Sequence, residues 1–190
     1  SFQQANKLTA DGIAGSKTLA ALDKGGSPSA TATPTVTKAP SSNTGTTPKA
    51  SNVKYANWYT TVKAIAKKYP YVTIYDYQTG ISWQEHIFSL GAHAECEPLT
   101  ANDTAKMNKV CGTENWTARP VWVIFSNGEV YLGSVHSVPH GVQHRTDNNF
   151  PGHNCIHFPR TQAQVEAIGS YATSHQTALD KAWAAIQNMK

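Results

Sequence analysis

Val121-Trp122-Val123-Ile124-Phe125-Ser126-Asn127-Gly128-Glu129-Val130-Tyr131-Leu132-Gly133-Ser134 is the stretch that decides the fold class. Two apolar runs flank Ser126-Asn127-Gly128, and Asn-Gly between such runs is the strongest short-range hairpin signal. Upstream, residues 71–77 are rich in strand formers, and Thr79-Gly80 turns the chain into a second strand over Ile81–Leu90. Helical spacing brackets these strands. Trp58, Val62, Ile65, Ala66 and Tyr69 repeat at helical intervals until Pro70 ends them. Thr100, with Asp103 three residues on, opens a helix to Val110 that Gly112 stops. Thr161 caps a segment through Val165 and Ile168, and a last helix carries Leu179, Ala182, Trp183 and Ile186 on one stripe. The expected architecture is α+β, with a mostly antiparallel sheet or sandwich core and flanking helices. Trp58, Trp122 and Trp183 read as core. Trp83 and Trp116 read the same way, with a substrate groove as their alternative.

The rest of the chain is different in kind. Of its 190 residues 39% are hydrophobic and 15% charged, low enough to imply that part of it has no core. Residues 24–52 supply that part: Gly25, Gly26, Pro28, Pro34, Pro40 and Pro48 sit among Ser, Thr and Ala without apolar periodicity, the composition of an extended linker. Residues 53–190 are expected to form the main domain. The net charge of +4 is spread without a basic run, which argues against nucleic acid and suits attraction to an anionic wall polymer. No stretch has the roughly 18 apolar residues of a membrane span. Starting at Ser1 without a leader pattern, the chain reads as a mature or trimmed fragment. Three cysteines leave two readings open: a Cys96–Cys111 disulfide with Cys155 free, or three reduced thiols.

The chemistry gathers at His140–His157, where four histidines and Cys155 fall together and His136 lies just upstream. Pro139 and Gly141, then Pro151 and Gly152, break any helix here, so the histidine spacing is not a helical metal-binding face. On an extended strand, His153, Cys155 and His157 share one side facing a cleft, while Ile156 and Phe158 face the core. A thiol beside an imidazole is a nucleophile with its base. A sharp turn over Gly152-His153-Asn154-Cys155 would supply backbone N–H donors for an oxyanion. A zinc site built from His93, Glu95, His136, His140 and His153 is the alternative, although no compact ligand motif is present. His86 and His144 read as surface residues, and His175 as structural.

Two resemblances follow. Residues 2–22, Phe-Gln through Leu-Thr-Ala-Asp-Gly-Ile-Ala-Gly to Thr18 and Leu22, closely resemble the second half of the small helical peptidoglycan-binding repeat of wall-targeted bacterial enzymes. Residues 1–23 are therefore expected to be a small helical fragment of that repeat. His140-Gly141 followed by Gly152-His153-Asn154-Cys155-Ile156-His157 resembles the L,D-transpeptidase signature, His-Gly, a loop, then Ser-His-Gly-Cys-Ile-Arg. Here Gly152, Asn154 and His157 replace its Ser, second Gly and Arg, and eleven residues separate His140 from Gly152. Trp83, residues 91–100, Arg119–Val123 and His175-Gln176 extend the likeness to a divergent branch of that family, over roughly residues 80–186. The resemblance implies that Cys155 is the acylated nucleophile, His140 its base and His153 a second histidine lining the site. It places Gly141 where a backbone carbonyl orients the base, and Gly152, Asn154 and His157 at substrate or oxyanion positions. It also implies a monomeric, cofactor-free, extracytoplasmic enzyme acting on peptidoglycan stem peptides, as transpeptidase or carboxypeptidase. A zinc-dependent wall peptidase or amidase and a non-catalytic wall-binding protein are the alternatives.

Overall fold

The computed structural model describes residues 47–189. The expected repeat fragment and most of the linker lie outside the described residues; the linker's last residues, Ala50–Asn52, form a 3₁₀ turn. Strand β1 is Val53–Lys54. A π-helical turn at Trp58–Val62 leads into α1, Lys63–Lys68, where the expected helix lies. Asn57 starts it by accepting the N–H groups of Tyr59 and Thr60. Strands β2 (Tyr71–Asp76), β3 (Ile81–Leu90) and β4 (Ala94–Pro98) precede α2 (Ala101–Cys111). The Asn-Gly turn joins β5 (Arg119–Phe125) to β6 (Val130–Val135) as expected. Strand β7 is Asn154–His157, followed by α3 (Gln162–Ile168) and α4 (Ser170–Gln187). Both helix starts read from sequence are capped as written: Thr100 accepts from the Asp103 N–H, and Thr161 forms a capping box with Gln164.

The α+β class holds, with one difference in the sheet. In place of an open sheet or sandwich, six strands close into an antiparallel barrel in the order β6-β5-β2-β3-β4-β7. Two pairings, Ser134 with His157 and Val135 with Ile156, shut the ring, while the other end of β6 takes β1 in parallel. Closure leaves no free edge on the six ring strands. Strand β4 was not legible in the sequence, because Ala-Glu-Cys-Glu-Pro alternates with charges where a strand normally shows its apolar face.

Alternation along β5 explains the unbroken apolar run that opened the sequence reading. Val121, Val123 and Phe125 point into the barrel with Trp58, Ile74, Trp83, Ile156 and Phe158. Trp122 and Ile124 point outward, with Val130 and Leu132, onto Leu179, Ala182 and Ile186 of α4. Both faces are covered, so both are apolar. The buried Asp76 carboxylate ties the β2–β3 turn to β5, accepting from Arg119 Nε at 3.0 Å and Nη2 at 2.9 Å. Cys96 and Cys111 are both buried and unpaired, so the disulfide alternative does not hold.

Gly133 in β6 sits where the barrel wall is tightest. A Cβ there would lie 2.7 Å from Val123 Cγ2 and 3.2 Å from Ile156 Cγ2. Val123 is β-branched and has little freedom to yield. Gly133→Ala is expected to cost about 1–3 kcal/mol through overpacking, read as a lower urea midpoint with an unchanged m-value.

Candidate active site

Strand β7 and the loop after β6 meet at Cys155. A single antiparallel bridge pins the loop: His140 N–H donates to the His153 carbonyl at 3.0 Å, and His153 N–H returns the bond at 2.8 Å. Two glycines permit this approach. At Gly141, φ +61°, a Cβ would stand 2.4 Å from His153 Cε1; at Gly152, φ +139°, it would stand 2.8 Å from the His140 backbone. Across the bridge, His140 Nε2 lies 3.5 Å from Cys155 Sγ. Its other ring nitrogen, Nδ1, donates to the Val138 carbonyl at 3.0 Å, which leaves Nε2 as a bare acceptor facing the thiol. The orienting carbonyl thus belongs to Val138, not to Gly141; the role of Gly141 is to let the two rings pack.

The alternation expected along β7 is present. Ile156 and Phe158 enter the core, and Cys155 and His157 point outward. The outward side is not an open cleft, however. Helix α4 covers it, and Cys155 has 0% exposure. The Tyr171 ring on α4 packs on those of His157 (4.8 Å), His175 (5.0 Å) and His136 (5.9 Å). The His157 ring is stacked between His175 at 4.0 Å and His93 at 4.8 Å. Trp116, expected in the core, is instead 53% exposed and lies over His136 (4.6 Å) and His140 (5.3 Å). Beside it, Trp116, Thr117, Ser174, Thr177 and Lys181 line a cavity of about 520 Å³.

The remaining sequence candidates have other employment. His153 is held by its Nδ1 contact to the Val142 carbonyl, 2.9 Å away, and by Phe88 against its ring edge. Asn154 points into the barrel, donating to Glu85 Oε1 at 3.1 Å and accepting from Cys96 Sγ at 3.3 Å. It belongs to β7 and lacks the positive φ that a stand-in for glycine would show. In the segment expected to supply oxyanion donors, Gly152 N–H bonds the Phe150 carbonyl and His153 N–H is in the bridge, so neither of these two is free. Glu95 sits opposite Cys155 in the β4–β7 register. His175 is buried, as a structural residue should be, and His144 is exposed as read, whereas His86 is half-buried.

Electrostatics follow from the burial. Desolvation pushes the Cys155 thiol well up, and the Glu95 carboxylate adds to the shift, while the Tyr171 hydroxyl opposes it. Desolvation also holds the imidazoles neutral: His136 and His175 fall to about 3, and His157 falls further, its shift deepened by His175 and Arg160. As a resting group, Cys155 is a protonated thiol beside a correctly oriented acceptor. Such a pair can pass a proton from sulfur to Nε2 and expose a nucleophilic thiolate.

The zinc alternative can be tested on ligand chemistry. Among the described residues, the group able to share one ion is His136, His140 and Cys155, with donor atoms within 4.8 Å of one another; His93 and Glu95 are not in it. A metal-bound imidazole normally donates its second ring N–H to an acceptor. His136 Nδ1 instead accepts the Val138 N–H at 3.2 Å, so its proton sits on Nε2, the nitrogen a metal would need. The trio fits a proton-transfer site better than a zinc site.

Two residues of the site escaped the sequence reading. Val138 acts through its backbone and leaves no side-chain signal. Tyr171 had one, since stepping the α4 stripe back from Leu179 by four residues reaches His175 and then Tyr171.

The buried imidazoles set an acid limit on stability. Below their ordinary value of 6.5, the unfolded chain binds protons on His136, His157 and His175 that the folded chain refuses. Buried Glu85, whose carboxyl burial pushes up from 4.5, works the other way by one proton. From these four groups, stability is expected to fall as pH drops from about 6.5 to 4.5, by up to about 2.7 kcal/mol per pH unit. Urea unfolding at pH 7.0, 6.0 and 5.0 measures the slope, and His175→Gln should flatten it.

Comparison with known proteins adds one finding. A family model described as a putative peptidoglycan binding domain matches residues 1–22. No curated protein and no solved structure matches the chain. Among the described residues, no helix is long and apolar enough to cross a membrane. The N-terminal match supports a peptidoglycan-binding repeat and association with the cell wall.

Proposed function

We propose that the domain is a cysteine acyltransferase acting on peptidoglycan stem peptides, as the resemblance to L,D-transpeptidases implies. The observation that carries this reading is the oriented pair: Cys155 Sγ 3.5 Å from His140 Nε2, with His140 Nδ1 fixed by the Val138 carbonyl. Such a geometry gives a nucleophile, a base and a third group that sets the base's tautomer. The peptidoglycan-binding match at residues 1–22 of the same chain supports a substrate in the cell wall.

His140 Nε2 takes the thiol proton, and the sulfur attacks the carbonyl carbon between the stem peptide's third residue and its D-Ala. The C–N bond breaks, the proton passes to the departing amine, and D-Ala leaves a thioester on Cys155. An acceptor amine then attacks that carbonyl and yields its proton to His140, giving a cross-link and restoring the thiol. Water in its place gives a carboxypeptidase. The cavity beside Trp116 offers room for a peptide, and Lys181 in its wall suits a carboxylate. For the donor to reach the sulfur, Trp116 must swing off His140, a local movement of an exposed side chain.

Incubation with a disaccharide-tetrapeptide donor and intact mass spectrometry test this reading. A thioester adduct is expected on the wild-type protein and none on Cys155→Ala. His140→Gln should slow adduct formation by roughly 10²–10⁴-fold. Turnover that persists in Cys155→Ala would sink the proposal.

A further inference from the structure

Negative charge created at Cys155 needs a donor, and in the segment expected to supply one the Gly152 and His153 N–H groups are occupied. A side chain stands in their place. His136 is fully buried, and its Nε2 has no hydrogen-bond partner among the described residues. Its Nδ1 accepts the Val138 N–H, so the ring's proton is on Nε2. Cys155 Sγ and one ring nitrogen each of His136 and His140 lie within 4.8 Å of one another. Val138 therefore sets two histidines in opposite senses. Its carbonyl makes His140 an acceptor at Nε2, and its N–H makes His136 a donor at Nε2.

We propose that His136 is the third functional residue of the site, a neutral imidazole whose Nε2–H stabilises the thiolate of Cys155. The S–H bond breaks, the proton goes to His140 Nε2, and the electron pair stays on sulfur, facing His136. The reaction this charge serves rests on the acyltransferase reading; the donor geometry does not. Burial holds His136 near 3, so it stays uncharged and does not compete with His140 for the proton. The other groups acting on the sulfur are the Tyr171 hydroxyl from α4, which helps, and the carboxyls of Glu95 on β4 and Glu85 on β3, which oppose. His136 adds to Tyr171 a donor whose orientation the Val138 backbone fixes. The remaining gap closes by about an ångström as the sulfur takes its charge, since such bonds are long before the reacting state forms.

The discriminating variants are His136→Gln and His136→Asn. Both are polar and similar in bulk, but only Gln reaches far enough to place an amide N–H where Nε2 stood; Asn stops at the Nδ1 position. The rate of Cys155 alkylation by iodoacetamide at one fixed, mildly alkaline pH, followed by peptide mass, reads the thiolate fraction, with thermal unfolding as the folding control. Asn is expected to slow alkylation about tenfold and Gln to recover most of the rate. Equal rates for Gln and Asn overturn the inference, as does zinc that co-purifies with the wild type and is lost from both variants. If the rates split but no stem-peptide adduct forms, the acyltransferase reading fails and the donor stands. If adducts form and the rates coincide, the donor fails and the acyltransferase reading stands.

Discussion

Everything in the site depends on two residue pairs, Ser134 with His157 and Val135 with Ile156, where the last strand closes the barrel. Until β7 zips onto β6, nothing holds Cys155 beside the His136–His140 segment. Once it does, β6 delivers that segment to one side of the strand that carries the thiol. The pairing is long-range, antiparallel and short, so it must be held from outside. The His140–His153 bridge continues it beyond the strand ends, and α4 clamps it through His175, whose Nδ1 lies 2.8 Å from Ser134 Oγ. The same contacts that finish the fold thus set the distance between the Cys155 thiol and the His140 imidazole.

How much of this was legible in the sequence depends on whether the signal was local. The β5–β6 hairpin, the caps at Thr100 and Thr161 and the α4 stripe are written within a few residues of each other, and each appears where it was read. The motif suggested that Cys155 and His140 act together, and the structure brings them to 3.5 Å of one another. Barrel closure was not legible, because it is set by the register of strands about twenty residues apart, and β4 hides its buried side beneath two glutamates. One of them, Glu97, is buried because it accepts the N–H groups of His144 and Arg145, at 2.6 and 2.9 Å. That contact anchors the loop, and no sequence pattern foretells it.

Positions where the chain differs from the L,D-transpeptidase signature it resembles are engaged in packing. Asn154, where that signature has a glycine, spends its side chain inside the barrel, on Glu85, Cys96 and the Met107 sulfur. His157, where that signature has an arginine, forms the middle of a stack with His93 and His175, its Nδ1 3.4 Å from the Arg160 guanidinium. A guanidinium is still present, three residues along, but it is turned to brace the strand. Polar residues that a motif would place against substrate have been absorbed into the structure beneath it.

The enclosure of Cys155 has a consequence for survival. Oxidants attack thiolates that solvent can reach. Here all three cysteines are buried, and burial raises each thiol, Cys111 to about 12. A sulfur held uncharged beneath packed rings is shielded from such attack until those rings part. Slow ignition is then the condition of durability.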